Sequence, residues 1–235
     1  MITDSFKNDF EFILNKVKRR DSFSFSKYAD GEYKILRNEK ITNCDNWTFS
    51  PDIHQTEQHY LKESFQYSHE DYFVGVSCPC CQPPDHVNWM RENVGSDNIT
   101  WANLFVNSNY PTFVYEMLQE FSTWEGRKVL LANEVGKEKM MPIPIDVYVP
   151  CNGQAFLMPD LSEHIKEMTV LAEQEDKQLF LFSAGPLGNI LAHKLHEVNP
   201  NNTYMDIGST MNPWIVGTNR GYLQRPHHLL NTCTW

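Results

Sequence analysis

An α/β domain built on a Rossmann-like, mostly parallel sheet flanked by helices is predicted by three observations. Short apolar runs alternate with amphipathic stretches along most of the chain. Two of the runs, Val129-Leu130-Leu131-Ala132 and Leu179-Phe180-Leu181-Phe182, have the unbroken apolar composition of strands buried in a sheet whose faces are covered. Most runs lead directly into a polar loop, as strands of a helix-covered parallel sheet do.

The elements follow in order. Phe6, Phe10, Ile13, Leu14 and Val17 share one helical face, so the spacing predicts a helix over Asp4 to Arg19 with Asp4 as N-cap. Ser22-Phe23-Ser24-Phe25-Ser26 alternates with period two and predicts a strand running into Tyr28-Ala29-Asp30-Gly31-Glu32. Asn38 to Ser50 reads as irregular and His54 to Ser68 as a helix. Tyr72 to Val76 is the next strand, followed by a cysteine cluster and a short helix around Val87 to Glu92. Ile99 to Val106 is a strand ending at Asn107, and Tyr110 to Phe121 a helix with Pro111 in its first turn. Lys128 to Ala132 ends at Asn133-Glu134, and Met140 to Pro150 reads as a loop around a short strand at Asp146 to Val149. A helix over Leu161 to Ala172, a strand over Gln178 to Phe182, a helix to about Glu197 and a last strand over Thr203 to Ile207 complete the core.

With 235 residues, 41% of them hydrophobic, the chain suits one domain over 1–235, with 209–235 as a polar tail able to close over a site. The formal charge of -10 speaks against a nucleic-acid partner. There is no apolar stretch of about 18 residues and no signal-peptide pattern, so a soluble, cytoplasmic protein is expected. Its six cysteines are expected to be thiols.

Ligands of such sheets gather at the carboxyl ends of the strands, which nominates Asp30, Glu32, Asn107, Glu134, Ser183, Gly185 and Asp206. Asp30-Gly31-Glu32 offers two hard carboxylate ligands suited to Mg²⁺ or Mn²⁺, although a turn feeding a helix would look the same. Ser183-Ala184-Gly185-Pro186-Leu187-Gly188 lies between an apolar strand and a helix, where backbone N–H groups favour a phosphate; an ordinary strand-to-helix turn is the alternative. Cys78-Pro79-Cys80-Cys81, with His86 nearby, departs from the paired C-x₂₋₄-C spacing of tetrahedral zinc and reads first as thiols. His227 and His228 read as tail histidines.

The segment Phe25-Ser26-Lys27-Tyr28-Ala29-Asp30-Gly31-Glu32-Tyr33 resembles the R-[FY]-G-D-G-E-[FY] signature of the GT-D type glycosyltransferases. Leu181 to Ala192, followed by Met205-Asp206-Ile207-Gly208-Ser209, is similar to that family's second block, in the same order. The resemblance implies a Rossmann-like fold, a UDP-sugar donor and a metal-binding D-x-E pair at Asp30 and Glu32. Lys27 stands where the family has arginine and Ala29 where it has glycine, and the His-Ile-Asp run after Gly208 is missing.

The expected activity is metal-dependent transfer of a sugar from a nucleotide diphosphate to a glycan or glycoconjugate hydroxyl. Glu134 is the first candidate base and Asp206 the second, with Ser183, Gly185 and Gly188 on the donor and Lys27 or Arg220 adding a cation. A non-catalytic nucleotide- or glycan-binding protein would use the same crevice. An interaction module stabilised by zinc at Cys78, Cys80 and Cys81 is a third reading.

Overall fold

The computed structural model describes residues 5–42, 47–218 and 220–224. The strands are β1 (Phe23–Lys27), β2 (Ile41–Thr42), β3 (Thr48–Phe49), β4 (Tyr72–Val76), β5 (Ile99–Trp101), β6 (Lys128–Asn133), β7 (Val147–Cys151), β8 (Leu179–Ser183) and β9 (Thr203–Asp206). Seven of them form one sheet in the order β5-β4-β1-β9-β8-β6-β7, every neighbouring pair parallel. β2 and β3 form a separate antiparallel pair. The helices are α1 (Phe6–Lys18), α2 (Asp30–Leu36), α3 (Gln55–Gln66), α4 (Pro84–Asn93), α5 (Tyr110–Thr112), α6 (Leu118–Ser122), α7 (Asp160–Gln174), α8 (Pro186–Val198), α9 (Asn212–Ile215) and α10 (Gly221–Gln224).

Both sheet faces are covered, because alternate residues of the central strands feed different cores. Val129, Leu131, Phe180 and Phe182 pack with Leu187, Leu191 and Leu195 of α8 and Leu61 and Phe65 of α3. Leu130, Leu179, Leu181 and Met205 pack on the other side with Phe10, Ile13, Leu14 and Val17 of α1. Each such side chain, withdrawn fully from water, contributes about 1.5–3 kcal/mol.

The alternation of β1 has a different meaning from a wet and a dry face. Ser24 and Ser26 are fully buried. The Ser24 hydroxyl donates to the Ala192 carbonyl at 2.7 Å, and the Asn189 amide donates to Ser26 Oγ at 3.1 Å. The polar residues of β1 therefore seat α8 on the strand.

Four segments differ from expectation. β5 stops at Trp101 instead of running to Val106, because 102–106 turns out of the sheet. Asn38 to Ser50 contains the β2–β3 pair, whose two-residue strands are too short to show a period. α5 and α6 are joined by a π turn over Phe113–Met117, so the predicted helix is present with a widened middle. The described part of the tail, 209–218 and 220–224, contains α9 and α10, with Met211, Ile215 and Tyr222 buried. A lid over 225–235 lies outside the described residues, as does the predicted N-cap Asp4. Ser5 caps α1, its Oγ accepting from Asn8 N–H at 3.2 Å.

One packing detail has a pH consequence. His196 of α8 is 1% exposed, its Nδ1 is 3.1 Å from the Tyr67 hydroxyl, and burial pulls its pKa down to about 4, with His69 and His193 acting the same way and Asp71 and Glu197 opposing. Below its unfolded pKa of about 6.5 the unfolded chain takes up the proton first, so stability falls as pH drops toward 4, by about 2 kcal/mol at pH 5. Chemical denaturation at pH 7 and pH 5 should show that loss. His196→Gln should flatten the slope by its share, and an unchanged slope would show that His196 is not responsible.

Candidate active site

From β1 the chain passes to β4 and β5 on one side, whereas β9 reaches the other side of β1 from β8. The connections diverge between β1 and β9, and their carboxyl ends form the topological switch point at which open α/β sheets bind ligands. Lys27 ends β1, Asp206 ends β9, and Glu32 stands in the first turn of α2 just beyond.

Asp206 is 2% exposed, and its Oδ1 accepts the Gly208 N–H at 3.0 Å. Burial pushes its pKa up to about 7; Glu32 adds to the rise, while the Lys27 ammonium and the backbone N–H groups of Gly208 and Lys27 oppose it. Glu32 is also buried, and its Oε2 accepts the Ala29 N–H at 3.0 Å. Its pKa is raised, first by burial and further by Asp30, against the pull of Lys27. Asp30 is exposed in the same turn of α2. The triplet is therefore both the start of a helix, with Glu32 capping backwards, and a pair of carboxylates at the crevice.

The half-buried Lys27 is the cation facing both buried acids, and no described carboxylate comes within 4.0 Å of its ammonium. Its side chain lies against Gly208, which has φ 53°; a methyl group there would collide with the lysine stem. The crevice's other wall is the turn from β8 into α8. Gly185 adopts φ 56° and ψ -139° at the N-cap, and Pro186 opens the helix. A β-carbon on Gly188 would stand 3.4 Å from the Asp206 carboxyl carbon, so α8 reaches the acid directly. Asn189 donates its amide to both Ser26 and the Lys27 carbonyl, fixing the end of β1 to α8.

No protein-family model matches the chain, and no curated protein matches it in sequence. Solved structures do match. A protein described as a new glycosyltransferase (DUF1792) from Streptococcus sanguinis aligns over 88% of this chain and 81% of its own, with a TM-score of 0.58 and 13% identity. A structure of the domain of unknown function 1792, described as having a distinct glycosyltransferase fold, aligns over 86% and 78%, with a TM-score of 0.57 and 12% identity. A selenomethionine structure of the same domain aligns over the same shares, with a TM-score of 0.56. The fold is that of the DUF1792 structures.

Within this DUF1792-like fold the remaining strand-end residues spread apart. Ser183 is half-buried at the end of β8, beside the crevice. Glu134 is exposed on the turn after β6, where it acts on Cys151. Three strand spacings separate β6 from β1 in the sheet, about 14 Å at ~4.8 Å each. Asn107 lies beyond β5 with φ 54°, and its amide is 4.0 Å from Cys81 Sγ. Arg220 is half-buried beside Tyr222, whose hydroxyl is 2.9 Å from Ser209 Oγ. His227 and His228 lie outside the described residues. No helix among the described residues is long and apolar enough to cross a membrane.

Two neighbours of the crevice went unrecognised in the sequence. Trp47 is buried, with its indole nitrogen against Gly185, and it falls in the segment read as irregular. His86, which the sequence places near the cysteines, stacks on Tyr33 at 3.6 Å, and its buried Nε2 has no hydrogen-bond partner among the described residues. Burial lowers its pKa, while Asp30 pulls the other way. Neither neighbour has a local signal, since Trp47 meets Gly185 and His86 meets Tyr33 only through tertiary packing.

Proposed function

We propose that this chain is a glycosyltransferase that moves a sugar from a nucleotide diphosphate, a UDP-sugar, to the hydroxyl of a glycan or glycoconjugate. The observation that carries this reading is the meeting of Lys27, Glu32 and Asp206 at the switch point between β1 and β9. The fold likeness to structures described as glycosyltransferases supports it.

A divalent cation, Mn²⁺ or Mg²⁺, fits the residues present. Asp30 and Glu32 supply hard oxygen donors, and burial, which raises the pKa of Glu32 and of Asp206 beside it, leaves both carboxylates short of solvation that a bound cation would replace. Held there, the ion would neutralise charge on the departing diphosphate.

The chain's own groups do the rest. The Lys27 ammonium meets a phosphate oxygen from the end of β1. Ser183 and the backbone of Gly185 and Gly188 hold the diphosphate or sugar at the start of α8. Trp47 closes that wall and keeps water from it. Asp206 takes the acceptor hydroxyl's proton; it is preferred to Glu134 because it lies beside Lys27 and Gly188, whereas Glu134 is exposed three strand spacings from β1.

A panel of nucleotide-sugars screened for thermal stabilisation with and without Mn²⁺ tests the reading. A ligand at 100 times its Kd should add about 2.7 kcal/mol to apparent stability. Stabilisation by a UDP-sugar only with metal, followed by sugar release, is expected. Equal stabilisation without metal and no turnover would favour a binding protein.

A further inference from the structure

Outside the crevice, three side chains converge that no part of this mechanism uses. Cys78, Cys80 and Cys81 are the only described trio of histidine, cysteine or acidic residues whose ligand atoms all lie within 4.8 Å of one another. The Sγ separations are 3.3 Å for Cys78 to Cys80 and 3.5 Å for Cys80 to Cys81, far beyond a disulfide bond, and all three residues are thiols.

The backbone explains the convergence. The N–H groups of Cys81 and Gln82 both donate to the Cys78 carbonyl, at 3.1 and 3.0 Å, so the chain winds tightly and turns three sulfurs inward. Two amides approach from the segment after β5: Asn103 Nδ2 lies 3.5 Å from Cys78 Sγ and Asn107 Nδ2 4.0 Å from Cys81 Sγ. N–H donors aimed at sulfur stabilise thiolate, and such outer partners tune metal sites. Cys78 is buried while Cys80 and Cys81 reach the surface, which leaves an entry path.

We propose that Cys78, Cys80 and Cys81 form a three-thiolate site for a soft, closed-shell metal ion, Zn²⁺, with its fourth position open to water, and that the ion clamps the loop between β4 and α4 to the segment after β5. Zinc–sulfur bonds of about 2.3 Å in a tetrahedron set sulfurs about 3.8 Å apart, a small expansion from the separations present. Three protons leave the thiols as the ion binds, so affinity rises with pH. Cys151 is a poor competitor, because burial pushes its thiol up to about 12.

The test uses the full chain purified with a thiol reductant and no chelator. Elemental analysis should find one zinc per chain, and cobalt exchanged for zinc should give a sulfur-to-cobalt charge-transfer band with intense visible bands. Both should vanish in the Cys78→Ser/Cys80→Ser/Cys81→Ser variant, which keeps Cys44, Cys151 and Cys233. Surface variants Cys80→Ser and Cys81→Ser, checked by circular dichroism, guard against loss by misfolding. Asn103→Ala should weaken zinc by about 10–100-fold. Absence of zinc and of the cobalt–thiolate band in the reduced wild type, an unchanged band in the triple variant, or a disulfide within the trio under reductant would overturn the site. None of these readouts depends on sugar transfer, so the site and the proposed activity fail separately.

Discussion

Replacing Asp206 by Asn is expected to lower sugar transfer by about 10²–10⁴-fold while making the metal-free protein more stable. The two effects have one cause. Asp206 is buried at the end of β9 with its pKa pushed up to about 7. An unfolded aspartate ionises near 3.9, so as pH rises from about 4 to 7 the unfolded state releases its proton first and the folded state loses stability. The asparagine, whose oxygen can still accept the Gly208 N–H, removes that cost, about 4 kcal/mol at pH 8. Melting curves at pH 8 beside kcat and KM for transfer would check both parts. A gain in melting temperature with kcat lost and KM little changed is the expected pattern. A loss of stability instead would show that the ionised Asp206 is no cost to the fold, and unchanged kcat would remove Asp206 as base.

Glu32 separates structure from chemistry through two substitutions. Its Oε2 accepts the Ala29 N–H at the start of α2, so Glu32→Ala loses a helix-capping bond and about 1 kcal/mol. Glu32→Gln keeps an acceptor of the same length and should keep the fold, yet it carries no charge for a cation. Both should lose metal-dependent donor turnover by at least about 10²-fold, since the charge stabilisation a metal supplies is worth several kcal/mol. Urea denaturation and donor hydrolysis on both variants give the result. Full activity in Glu32→Gln would restrict Glu32 to its capping role.

How much of this was legible in the sequence depends on what each feature needs. β4 lies where its apolar run predicts it, over Tyr72–Val76, and β8 is displaced by one residue, because buried strands announce themselves by composition. β2, β3 and Trp47 were hidden, since a two-residue strand has no period to detect. The helices at the start of the tail were hidden as well, although Met211 and Ile215 sit at helical spacing. For the proposed site, the alternation of strands and loops points to the carboxyl ends of the strands, and of the residues nominated there Lys27, Asp30, Glu32, Gly188 and Asp206 are neighbours in the fold. Strand order is not written locally, so Glu134, just after β6, falls three strand positions from β1, and Asn107 lies six residues past the end of β5, which is two positions from β1. Likewise the C-x-C-C spacing argued against a shared ion until the turn at Cys78 brought the sulfurs together.

The most direct test of the crevice as a metal-assisted donor site is the hydrolysis of a UDP-sugar with and without Mn²⁺ by wild type, Asp30→Ala and Glu32→Gln, each verified as folded. Hydrolysis that requires Mn²⁺ in the wild type and is lost in both variants is the predicted result. Full Mn²⁺-dependent hydrolysis in both variants would contradict a metal held by Asp30 and Glu32.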